Sequence, residues 1–161
     1  MKSMKNYFYF ILTLILTACE SKPSFIYLKP YSFKSTQEDR KLNGNYDSYP
    51  KGEKIEESIL IKNIPSNKIK LKEIMISYFD SLNMNGRLDK KLSKRVVTFY
   101  KYSSNTKAFI YSDRDYDGFN RIYLEDQGDD YLGDIIYEKD LENNSKEFTV
   151  MYYDKKTDTI K

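Results

Sequence analysis

The chain has 161 residues, with 27 Lys and Arg against 24 Asp and Glu, no histidine, no tryptophan and a single cysteine. That length suits one folded domain, and the missing histidine excludes both a Ser-His-Asp arrangement and a histidine-ligated metal site. Six glycines scattered singly make no phosphate-cradling loop, and carboxylate spacing along a chain does not place two acids across a cleft, so the sequence reads as a binder and not an enzyme.

At the N-terminus, Lys2 and Lys5 precede an apolar run of ten residues from Tyr7 to Leu16. This is shorter than the roughly 20 residues that span a bilayer, and it has the form of an export signal. The run closes on Leu16-Thr17-Ala18-Cys19, which resembles the lipobox of bacterial lipoproteins. The resemblance covers residues 1–19 only. It implies cleavage after Ala18, lipidation of Cys19 with acyl chains such as palmitate, and residence at a membrane of the cell envelope. The competing readings are an ordinary secretory signal with an incidental cysteine and an uncleaved anchor helix. Glu20 follows the cysteine in place of the aspartate that resembles an inner-membrane retention signal, which favours the outer membrane.

Removing residues 1–18 takes Lys2 and Lys5 from the 27 basic residues, leaving 25 against 24 acids and a net charge of +1. A nearly neutral exported domain lacks the Lys and Arg excess that phosphate backbones require, so nucleic acid is not an expected partner. With Cys19 acylated there is no thiol for a disulfide or a metal, and the core alone must stabilise the fold.

Residues 20–54 hold three prolines and two glycines among polar residues. They read as a tether with one short strand around Phe25–Leu28. Thirty flexible residues would have a mean reach of about 30 Å. The alternative is that part of the segment packs on the domain as an added strand.

The folded domain is expected over 55–161, as α+β: one amphipathic helix on an antiparallel meander of four to five strands. Ile55–Lys62 reads as a strand. Pro65-Ser66-Asn67 supplies a cap, and Ile69, Leu71, Ile74, Met75, Tyr78, Phe79 and Leu82 then recur at helical spacing, predicting about 16 helical residues that Asn83-Met84-Asn85-Gly86 would end. Leu88 and Leu92, one helical turn apart, suggest a further short turn over 87–94. From Val96 the period becomes two. The runs 96–102, 107–112, 120–126, 130–139 and 147–156 are rich in β-branched and aromatic residues, and short polar links separate them.

Sixteen tyrosines are present, fourteen of them after residue 18, and Tyr100, Tyr102, Tyr111, Tyr123, Tyr137, Tyr152 and Tyr153 fall in these runs. A ring with a polar tip suits a half-wet sheet face or a protein interface. Biased composition explains the same count.

Asp113-Arg114-Asp115-Tyr116-Asp117-Gly118 matches the first six positions of a calcium loop, making Asp113, Asp115 and Asp117 candidate Ca2+ ligands. The twelfth position, however, is Leu124 and not glutamate, and the flanks read as strands where the EF-hand it resembles has helices. A hairpin loop turning at Gly118 accounts for the same residues.

Charge is sorted along the chain. Residues 51–101 carry twelve bases and six acids, and residues 112–147 carry twelve acids and four bases. Glu125-Asp126, Asp129-Asp130, Asp140 and Glu142 could steer a basic protein partner, or form an ordinary solvated surface. Asp80-Ser81-Leu82 and Asp158-Thr159-Ile160 each resemble a short O-glycosylation sequon of exported bacterial proteins, a pattern short enough to arise by chance. The sequence is therefore read as a lipid-anchored envelope protein acting by protein binding. In size and architecture it resembles a lipoprotein immunity factor that neutralises an exported toxin. A structural or assembly lipoprotein of the outer membrane and a weak calcium-binding adhesion module are the alternatives.

Overall fold

The computed structural model describes residues 21–36, 52–84, 92–111, 124–139, 147–154 and 156–160. Among them the chain forms β1 (Ser24–Tyr27), β2 (Phe33–Ser35), β3 (Glu53–Lys62), α1 (Lys68–Met84), β4 (Leu92–Lys101), β5 (Tyr131–Lys139), β6 (Glu147–Tyr153) and β7 (Lys156–Ile160). The strands join in one seven-stranded sheet of order β1-β3-β4-β5-β6-β7, with β2 also on β3. The class is thus mixed α and β, with one main helix and more strands than the four to five expected.

The additional strands have identifiable sources. β1 and β2 come from segment 20–54 and pair antiparallel with β3, Phe25 opposite Ile61 and Lys34 opposite Ile55. β3 itself joins the sheet in parallel with β4, because α1 returns the chain to the same end before β4 begins. From β4 onward the sheet is an antiparallel meander of four strands.

Three local expectations are corrected. Leu92, Ser93 and Lys94 belong to β4 and not to a helical turn, with Leu92 buried opposite Glu53. The run 107–112 is not a strand: Thr106–Tyr111 is a 3-10 helix. Its start is fixed by Ser103, whose Oγ accepts the Asn105 and Thr106 amides at 3.1 and 3.2 Å, while the Thr106 hydroxyl donates to the Lys101 carbonyl at 2.7 Å. Within the run 120–126, the described residues Leu124 and Glu125 are helical.

Asn67 caps α1 as expected, its Oδ1 accepting the Ile69 and Lys70 amides at 2.9 and 3.2 Å. Leu71, Met75, Phe79 and Leu82 are buried against Ile59, Ile61, Val97, Phe99, Ile135 and Met151, forming the main core on one face of the sheet. Ile69, expected in that stripe, is instead 70% exposed. At 100° per residue it lies about 200° from Leu71, on the outer side of the helix.

Among the described residues the opposite face carries a smaller core at one end. Leu28, Tyr31, Leu60, Tyr100 and Leu124 are buried there, with Phe109 and Ile110 half-buried against them. The segment after β1 is clamped to β3 by Leu28 N–H to the Ser58 carbonyl at 2.9 Å and Ser58 N–H to Ser32 Oγ at 3.0 Å. Arg95 and Glu57, both buried, form an ion pair at 2.8 Å between the parallel strands. Lys94 and Glu138 pair across β4 and β5, joining the basic and acidic stretches of the sequence.

Candidate functional site

Alternation along β4 and β5 decides which side chains reach the face opposite α1. On β4, Val97 and Phe99 point into the main core, and the intervening Val96 and Thr98 are half-exposed. On β5, Ile135 and Tyr137 are buried, and Asp134, Ile136 and Glu138 are half-exposed. Val150 is half-exposed and Tyr152 exposed on β6, so this part of the face has apolar residues interrupted by Asp134 and Glu138 and edged by tyrosine.

The polar centre of the surface is Asp134. The Tyr131 hydroxyl donates to its Oδ2 at 2.7 Å, and its Oδ1 is buried with no hydrogen-bond partner among the described residues. Tyr131 stands edge-on to Tyr100 with ring centroids 6.0 Å apart, and 6.5 Å from Tyr152 in a tilted arrangement. Burial pushes both the Tyr100 and the Tyr131 hydroxyls well above their ordinary pKa of 10. The hydrogen bond to Asp134 adds to the rise at Tyr131, and the Asp134 and Glu125 charges add to it at Tyr100. Both hydroxyls hold their protons at neutral pH, and the one on Tyr131 is donated to Asp134. Beside them, Gly128, Tyr131, Leu132, Tyr152, Tyr153 and Asp154 line a cavity of about 440 Å³ together with Lys68 and Leu71.

The segment leading into β5 supplies exposed carboxylates at Glu125, Asp126 and Asp129. Asp130 is different: it is buried and accepts the Ser103 hydroxyl at 2.5 Å, so it fastens the 3-10 helix start and is not a surface charge. An arrangement of rings with polar tips, a half-buried carboxylate and flanking acids can pack against a protein and receive its Lys or Arg side chains.

The tyrosines singled out from sequence divide between the faces. Tyr152 is on this surface with Tyr131, and Tyr100 is buried beneath Tyr131 in the smaller core, whereas Tyr137 is buried in the main core and Tyr153 packs against it. Tyr111 is 72% exposed. The Tyr131–Asp134 pair has no signal in the sequence, because residues three apart on a regular strand point to opposite faces; the register shift that puts Gly133 opposite Phe99 and Tyr131 opposite Tyr100 brings the two together. Cys19, the loop Asp113, Asp115 and Asp117, and the acids Asp140 and Glu142 lie outside the described residues. Among the described residues no group of three acids could hold a metal ion, and no helix is long and apolar enough to cross a membrane. No protein-family model, curated protein or solved structure matches this chain.

Proposed function

We propose that this protein is a lipid-anchored component of the cell envelope that acts by binding another protein, with the Tyr131–Asp134–Tyr152 surface as its contact. The observation that carries the reading is the half-exposed tyrosine and carboxylate cluster on the sheet face opposite α1, preceded in the chain by the exposed Glu125, Asp126 and Asp129. Large rigid rings contribute interface area at little entropic cost, and acids beside them favour a basic partner. Neutralisation of an exported toxin is the form of binding that best suits so small an anchored domain.

Affinity purification of the acylated protein from its native membranes, followed by mass spectrometry, tests the reading. One stoichiometric exported toxin supports neutralisation, whereas a set of abundant envelope proteins makes the chain an assembly lipoprotein. Tyr152→Ala, at an exposed position, should weaken capture of that partner by about 30-fold, the equivalent of a 2 kcal/mol hot spot. Undiminished capture by both Tyr152→Ala and Asp134→Asn would remove this surface as the contact.

A further inference from the structure

The point at which the chain joins the sheet constrains how far the domain can stand from its anchor. The Asn63 side-chain amide donates to the Lys22 carbonyl at 3.0 Å, and β1 is paired with β3 from Ser24, opposite Lys62. Lys22 is thus fixed at the end of β3 beside the turn into α1. Cys19 is three residues earlier, and a fully extended chain of three residues covers about 10 Å. A flexible arm reaching about 30 Å therefore does not lie between an acyl group at Cys19 and the sheet. Segment 20–54 thus enters the fold at Ser24, within a few residues of Cys19.

The surface at that end matches a lipid neighbour. Lys22, Pro23, Asn63, Pro65, Ser66 and Lys70 line a cavity of about 440 Å³ at the mouth of the turn. The first turns of α1 add Lys68, Lys70 and Lys72, and in their midst Ile69 is 70% exposed. Lys68 and Lys72 are ion-paired with Asp154 and Asp158 at 2.9 and 2.6 Å, and the exposed Glu73 lies one turn on from Ile69, so lysine stems and carboxylates together flank the apolar side chain. An exposed aliphatic residue among long lysine stems, whose ammonium groups stay in water beside zwitterionic partners, can sit at the headgroup level of a lipid surface.

We infer that this end of the domain, comprising Lys22, the Asn63–Ser66 turn and the first turn of α1, rests directly on a phospholipid surface with Ile69 at the headgroup boundary. The inference deepens the proposed lipid anchorage at Cys19 and rests on it. It fixes an orientation: β3 points its C-terminal end at the membrane, and the ends bearing Glu53 and Lys34 face away.

The chain contains no tryptophan, so a single introduced one reports on its own surroundings. Full-length acylated Ile69→Trp is placed in vesicles of phosphatidylethanolamine and phosphatidylglycerol, with and without brominated acyl chains. Lys34→Trp is the reference. Lys34 is exposed and opposite Ile55, seven residues from Lys62 and hence about 23 Å along the strand. Bromination should lower Ile69→Trp emission at least about twofold, as expected for a side chain within the boundary region. It should leave Lys34→Trp unchanged. Unquenched Ile69→Trp in vesicles that float with the acylated protein, or equal quenching of the two variants, overturns the docking while leaving the anchor intact. A chain whose mass shows no acyl group and which does not float overturns the anchorage and the docking together.

Discussion

Gly133 shows how narrowly one position of the sheet is specified. It sits at a register shift between β4 and β5, opposite Phe99, with φ of +155°. A Cβ there would stand 2.5 Å from the Tyr152 carbonyl oxygen and 3.2 Å from Met75 Cε. The conformation and the contact act together, so Gly133→Ala should destabilise the domain by about 1–3 kcal/mol through backbone strain and more through crowding of rigid backbone. Chemical denaturation reads this as a lower midpoint at unchanged slope. Tyr131 and Tyr100 make stability depend on pH. Their folded pKa values lie above the ordinary 10, so both states hold the proton below pH 10 and the stabilising term is complete there. Above pH 10 the unfolded chain releases protons that the folded chain retains, and stability falls. Thermal melting across alkaline pH should show this decline, and it should become shallower in Tyr131→Phe and Tyr100→Phe.

Among the elements, α1 was the most legible from sequence. Its cap at Asn67 and its stripe of Leu71, Met75, Phe79 and Leu82 were set by local chemistry and a single period, and both are found. Even the misassigned Ile69 was readable, because the angle from Leu71 places it off the stripe. Met75→Ala, at a fully buried site, should cost about 2–5 kcal/mol. Ile69→Ala, about 20° from facing directly away from Leu71 by the same arithmetic and mostly exposed, should change stability by no more than about 0.5 kcal/mol. A comparison of their unfolding midpoints checks the assignment. Two other elements were not legible for a stated reason. Leu92–Lys94 is a strand because β3 offers it backbone partners across a long sequence gap, which overrides a local helical spacing. Thr106–Tyr111 alternates like a strand, but the Ser103 and Thr106 hydroxyls commit the chain to a tight turn before alternation can act.

For the whole molecule, sequence indicated the mixture of one helix and a sheet but not how the sheet is assembled around β3. Periodicity marks a strand without naming its neighbours, so the parallel pairing of β3 with β4 and the addition of β1 and β2 depended on contacts that no short window contains. The candidate surface was legible in its residue type, tyrosine, and illegible in its membership, since Tyr137 and Tyr152 differ only in the face to which alternation assigns them. The central place of β3 also has a consequence for biosynthesis. Ribosomes deliver the chain from its N-terminus, and 29 residues (63–91) separate the end of β3 from the start of β4. During that interval β3 can pair with β1 and β2, but its edge toward β4 is open, and Ile59 and Ile61, which end up fully buried beneath α1, lack that cover until the helix has been made. The nascent chain thus carries a sticky half-sheet whose closing partner arrives late, and in that window it is a client for chaperones and not yet a domain.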